Sequence, residues 1–270
     1  MTLELTDELL DRDDRLIVRE SGPPDAPPIL YFPGVHGDWT PFGAARELLA
    51  TELRVVEVTY PRALGWRLDD FASAAIEAMD RLGLADAHVL GESFGSLIGW
   101  RLALDRPERV RSFILAGGFC RPPRPPVVLA LRGGMPLLPA PLFDLGIDGY
   151  IHLRHFMNGR RADLADPKRC FPAARSRRGL LAIARRLAVI QSTDLRDRLA
   201  AMRRPTLYLG GSRDVVVPVR REIRELRARL SPECSLEARL LAGAPHPILP
   251  ARPRAACELI LDWIRRREAP

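Results

Sequence analysis

Residues 89–100 read Val89-Leu90-Gly91-Glu92-Ser93-Phe94-Gly95-Ser96-Leu97-Ile98-Gly99-Trp100. A serine stands between two glycines where the apolar run Ala87–Leu90 ends and the helical pattern of Gly95–Leu104 begins. Reversing from strand to helix within so few residues presses the positions two before and two after the serine against its own backbone, and only very small residues fit there. The serine is left protruding above the sheet, and the helix behind it aims N–H groups with partial positive charge at any oxyanion formed nearby. In a chain with 20 glycines the same spacing also describes a tight turn without chemistry. The surroundings decide between the two.

Outward from this turn, short apolar runs read as buried strands at Leu16–Val18, Ile29–Phe32, Val55–Val58, His88–Leu90, Phe113–Ala116, Thr206–Leu209 and Leu236–Leu241. Helical patterns lie between many of them. Phe71, Ala75, Ile76 and Met79 recur at helical spacing ahead of Gly83, and Arg220–Leu230 and Arg254–Arg266 supply two more helices. Strand and helix alternating through short connections predict an α/β fold with a mostly parallel central sheet flanked by helices.

The alternation stops between Phe119 and Met202. Arg121-Pro122-Pro123-Arg124-Pro125-Pro126 suits neither a helix interior nor a central strand. A Gly-Gly-Met-Pro turn at 133–136 and helical patterns such as Leu180–Val189 follow. The expected organisation is a core of residues 1–118 and 203–270 with a mostly helical insertion, 119–202, over one end of the sheet.

A nucleophilic serine needs a base, and the base an orienting carboxylate. Of the five histidines, His88 leads into the strand before the turn and reads as structural, His152 and His155 fall in the insertion, and His36 follows an early strand. His246, in Gly243-Ala244-Pro245-His246, follows the last strand, where a loop can carry an imidazole across the top of the sheet. Asp214, in Gly210-Gly211-Ser212-Arg213-Asp214, also directly follows a strand; alone it would read as an Asx turn or helix cap. Ser93, Asp214 and His246 thus all come at carboxyl ends of strands.

With these motifs and Phe32-Pro33-Gly34-Val35-His36-Gly37-Asp38, the chain from Leu16 to Ile264 resembles the lidded, esterase-like serine enzymes of the α/β-hydrolase family. The resemblance implies a catalytic triad of Ser93, His246 and Asp214 and a lid formed by the insertion. It also implies oxyanion-binding N–H groups on Val35 and on Phe94, the residue after the nucleophile. Relatives usually carry histidine where Pro33 stands. Shifting the register by three would make Asp38 the donor instead of Val35; Val35 is preferred because Pro33-Gly34 follows the strand directly, leaving His36 to stabilise the loop. Serine at the turn argues against the epoxide- and haloalkane-cleaving relatives, which attack with a carboxylate.

The function expected is cleavage of a carboxylic ester or related acyl bond in a small-molecule acyl substrate, through an acyl-enzyme, with no cofactor and no metal. Thioesterase, aminopeptidase and carbon–carbon hydrolase chemistry share this machinery, and a ligand-binding protein without turnover is a further alternative. The apolar stretch Pro136–Ile147 is a candidate acyl-pocket lining or the insertion's own packing core. Arg154, Arg160 and Arg161 read as a solvated face, and Glu92 as a supporting residue.

Composition agrees with a soluble enzyme: 47% hydrophobic and 28% charged. The net charge of +7 is nearly all arginine, with Lys168 the single lysine, and it is spread along the chain rather than gathered into a nucleic-acid-binding stripe. Cys120, Cys170, Cys234 and Cys257 lack metal or redox spacing. The acidic start lacks the form of a signal peptide, and no apolar run is long enough to span a membrane. A cytoplasmic location is expected, with no nucleic-acid partner; the oligomeric state is not encoded in any of these patterns.

Overall fold

The structure, a computed structural model, describes residues 4–12, 14–146, 148–149 and 171–269. Among these, seven strands form one sheet: β1 (Ile17–Ser21), β2 (Pro28–Phe32), β3 (Arg54–Thr59), β4 (Ala87–Glu92), β5 (Val110–Ala116), β6 (Thr206–Gly211) and β7 (Leu236–Leu241). They are ordered β1-β3-β2-β4-β5-β6-β7. Each run expected to be a strand lies in or overlaps one of them. All neighbours are parallel except β1, which pairs antiparallel with β3 at the edge.

Residues of β2 and β4 are buried throughout because helices cover both faces. The strand period of two divides β2 between two cores. Leu30 and Phe32 pack with Phe71, Ala75 and Met79 of α2 (Leu68–Arg81) and Leu97, Ile98 and Trp100 of α3 (Gly95–Asp105). Ile29 and Tyr31 face α1 (Gly43–Leu49) and the C-terminal helix Pro253–Glu268, through Phe42, Leu49, Ile260 and Trp263. His88 is held inside the sheet by Ser112 Oγ at 2.8 Å and Glu268 at 3.0 Å, the structural place expected of it.

Between β5 and β6 the described chain forms α4 (Pro125–Gly134) and α5 (Arg177–Ser192), which pack on each other. The proline run is consistent with this helix because Pro125 and Pro126 occupy its first turn, where a missing N–H is harmless. Gly133 and Gly134, expected in a turn, instead complete the helix. Ser176 caps α5 by accepting the Gly179 N–H at 3.0 Å. Helix α6 (Val219–Arg229) follows β6, and the C-terminal helix is α7. Ile147, His152, Arg154, His155, Arg160, Arg161, Lys168 and Cys170 lie outside the described residues.

The strand order reverses direction at β2, which pairs β3 on one side and β4 on the other, and such switch points open a crevice at the carboxyl ends of the strands. The register pairs Phe32 with Gly91 and Glu92 with Ala116. The loops that leave β2, β4 and β5 therefore start side by side.

Candidate active site

Ser93 has φ 51°, a left-handed conformation costly for a residue with a β-carbon, by about 1–3 kcal/mol. Neighbours hold it there. Its N–H donates to Ala116 O at 3.1 Å, and its carbonyl accepts the Ser96 N–H at 3.0 Å and the Ser96 hydroxyl at 2.6 Å. A β-carbon on Gly91 would lie 2.6 Å from Ser96 Cα, and one on Gly95 2.7 Å from the Phe32 carbonyl carbon. Both glycines are sterically required. Ser96, a position to which the sequence assigned no role, also accepts the Phe119 N–H at 3.1 Å and so ties the turn to the loop after β5.

The loop after β7 brings His246 to this serine, with Nε2 2.9 Å from Ser93 Oγ. Gly117, at φ 59°, lets the chain pass closely beneath: a β-carbon there would stand 3.0 Å from the His246 carbonyl oxygen. His246 Nδ1 lies 2.8 Å from Asp214 Oδ2, and the Asp214 side chain is fully buried. The other oxygen, Oδ1, accepts the N–H groups of Val216 and Val217, each at 2.8 Å. Asp214 is thus both an Asx-type turn residue and the histidine's partner. An ionised carboxylate only accepts, so Nδ1 carries the hydrogen and Nε2 accepts from the serine hydroxyl. The chemistry available is proton removal from Ser93.

Loop 33–37 runs beside the serine, with a β-carbon on Gly34 falling 3.5 Å from Ser93 Cβ. Among the described residues, neither the Val35 N–H nor the Phe94 N–H is paired with an acceptor. The Asp38 N–H instead turns to His36 Nδ1, at 3.4 Å. The Asp38 carboxylate is buried, bonded by the Thr40 and Ala173 N–H groups, with its pKa raised chiefly by burial. His36 meets Phe171 edge-on at 5.0 Å; burial and the nearby Arg186 charge push it down to about 3, so it is neutral near pH 7.

Above Ser93 and His246 opens a cavity of about 300 Å³. Its walls are largely apolar: Val127, Val128 and Leu131 of α4, Leu187 and Ile190 of α5, and Phe119. The stretch Pro136–Gly146 contributes nothing to them; Leu137, Leu142 and Leu145 are exposed to solvent, while Leu138 and Phe143 pack against the core. Glu92 borders the cavity, buried, and accepts the Tyr31 hydroxyl hydrogen at 2.7 Å, which steadies the strand end beside Ser93. Among the described residues no group of three or more His, Cys, Asp or Glu is placed to hold a metal ion.

Residues 44–140 match the family model described as the alpha/beta hydrolase fold. The chain also superposes on a hydrolase from Pseudomonas aeruginosa with a TM-score of 0.74 at 23% identity, over 92% of this chain and 94% of that one. The chain has the α/β-hydrolase fold.

Other α/β-hydrolase structures agree in fold. The enol-lactonase from Burkholderia xenovorans gives a TM-score of 0.75 at 20% identity, covering 93% of this chain and 96% of its own. A thermophilic esterase from Thermogutta terrifontis gives 0.74 at 21%, covering 94% of each. Among curated sequences, the Rhizobium rhizogenes protein named "Putative carbamate hydrolase RutD" is 27% identical over 90% of this chain and 95% of its own. Among the described residues, no helix is long and apolar enough to cross a membrane.

Proposed function

We propose that the chain is a serine hydrolase that cleaves a carboxylic ester of an apolar acid. The observation that supports this is the continuous line of contacts from Ser93 Oγ through His246 to Asp214, at 2.9 Å and 2.8 Å, at the foot of an apolar cavity. Ser93 attacks the acyl carbon while His246 Nε2 takes the hydroxyl proton, and Asp214 stabilises the imidazolium that results. The N–H groups of Val35 and Phe94 receive the oxyanion of the tetrahedral intermediate. His246 then gives its proton to the departing alcohol oxygen, leaving the acyl group on Ser93. Water, deprotonated by the same imidazole, releases the acid and restores the serine.

In this reading residues 1–118 and 203–270 are the catalytic core and 119–202 a cap, with α4 and α5 forming the cavity's roof. The mechanism uses no metal or cofactor. Cys120, Cys234 and Cys257 are buried free thiols, which fits a reducing, cytoplasmic setting.

Carbamate cleavage is the second reading, favoured by the relative that bears that name and aligns with 90% of this chain. The same serine can attack a carbamoyl carbon. A largely apolar wall matches a hydrocarbon acyl group better than a small polar carbamate, and so weighs toward the ester.

Incubation with an organophosphonate tests the assignment. One label per chain on Ser93, absent from Ser93→Ala, is expected, together with a loss of ester turnover in that variant of about a millionfold. A label elsewhere, or none while hydrolysis persists, refutes it. Parallel turnover of alkyl esters and simple carbamates separates the two readings.

A further inference from the structure

The Val35 N–H belongs to the peptide between Gly34 and Val35, in a loop where glycine leaves rotation easy. Its own carbonyl, Gly34 O, accepts the Gly37 N–H at 3.1 Å within the loop, and the peptides on either side are held from outside the loop. The carbonyl of Pro33, one peptide earlier, accepts the Tyr60 hydroxyl hydrogen at 2.8 Å. The carbonyl of Val35, one peptide later, accepts Arg186 Nε–H at 2.7 Å, and that of His36 accepts from Nη2 at 3.4 Å.

Arg186 stands on α5, in the roof of the cavity, and only 1% of its surface is exposed. Among the described residues no carboxylate lies within ion-pair distance of it. Its partners are loop carbonyls, with the Tyr60 ring 5.7 Å from the guanidinium carbon and the buried Asp38 near enough for attraction. Gly37, at φ 94°, closes the loop around it: a β-carbon there would come within 2.8 Å of Arg186 Nη2. Burial lowers the guanidinium only to about 10, so it is charged near neutral pH. A buried cation is costly unless its N–H groups are hydrogen-bonded, and here the loop carbonyls of Val35 and His36 accept them.

We propose that Arg186 is a positioning residue for acyl transfer: reaching from α5, it locks loop 33–37 in the conformation that turns the Val35 N–H toward the oxyanion. The oxyanion site is then complete only while α5 is seated. This rests on Val35 serving as an oxyanion donor in the proposed hydrolase.

Arg186→Met and Arg186→Lys test it, with kcat and KM measured on an apolar ester. Affinity is measured for a trifluoromethyl ketone, which forms an oxyanion on Ser93, and for the matching methyl ketone, which does not. Arg186→Met should lower kcat by about a hundredfold, the scale of one lost oxyanion donor, with KM within about threefold. Trifluoromethyl ketone affinity should fall in step with kcat while methyl ketone affinity holds. Arg186→Lys keeps the charge but not the fork and should lose about tenfold; it decides the matter if the methionine variant does not fold. Unchanged kcat in a folded variant, or equal losses for both ketones, would overturn the inference. Failure of the wild type to hydrolyse esters or to take a label on Ser93 would instead bring down the hydrolase reading, and this inference with it.

Discussion

A β-carbon on Gly95 would stand 2.7 Å from the carbonyl carbon of Phe32 and nearer still to its oxygen, so α3 meets the end of β2 backbone to backbone. That contact holds the Ser93 turn level with the loop containing Val35. The obstruction is main chain, which cannot swing aside as a side chain would. Gly95→Ala should therefore lower the thermal midpoint by several degrees and slow phosphonate labelling of Ser93 by at least tenfold, both measurable on one preparation. A variant with native stability and native labelling rate would show that the turn tolerates a wider spacing.

Asp214→Asn separates orientation from folding. The asparagine oxygen can keep the Val216 and Val217 N–H bonds, so the loop should persist. Its NH2 group then faces His246 Nδ1 and forces the hydrogen onto Nε2, which can no longer accept from Ser93. Turnover should fall by roughly four orders of magnitude with circular dichroism and melting unchanged. A loss below tenfold would mean that another group orients the imidazole.

The strands were legible because parallel strands covered on both faces are almost wholly apolar, as in Pro28–Phe32. The antiparallel pairing of β1 was not, since an apolar run does not state its direction. Helix α1 escaped notice because it is short, begins at Gly43 and has no side-chain cap. The residues brought together around Ser93 could be read from glycine spacing and from the order of loops after strands. Arg186 could not: within Leu180–Val189 an arginine looks like part of the solvent face, and only the packing of α5 against loop 33–37 buries it. The apolar stretch 136–147 read either as acyl-pocket lining or as the insertion's own packing; of its described part, Leu138 and Phe143 pack against the core, and α4 and α5 line the cavity. Hydrophobicity alone does not reveal what a segment faces.

His36 should make the protein acid-sensitive. Its folded pKa of about 3 lies below the unfolded value of about 6.5, so below that upper value the unfolded chain binds a proton that the folded one refuses. Stability is therefore lost as pH falls from about 6.5 toward 3. Buried His88 is shifted in the same direction, so replacing His36 removes only part of the slope. Urea midpoints of wild type and His36→Gln measured from pH 7 to pH 4 should converge or cross as the pH drops, the variant losing less. Parallel curves would mean that His36 takes up its proton in the folded state as readily as in the unfolded one.

The choice of acyl group should follow the helices of the roof. Val128 of α4 and Leu187 of α5 both border the cavity, whereas Leu142 is 57% exposed and does not. Each methylene buried is worth about 0.8 kcal/mol, or about fourfold in kcat/KM while the chain still fits. Along a series of p-nitrophenyl esters, kcat/KM should rise by up to that factor per carbon and then break where the cavity is full. Val128→Phe should move the break to shorter acids and cut the rate on the longest wild-type substrate by at least tenfold. Leu187→Ala should move it to longer ones, at some cost in stability. Leu142→Ser should leave the profile within about twofold of wild type. If Leu142→Ser shifts the break while Val128→Phe does not, the acyl group lies along the 136–146 segment and the cavity beneath α4 and α5 is not its seat.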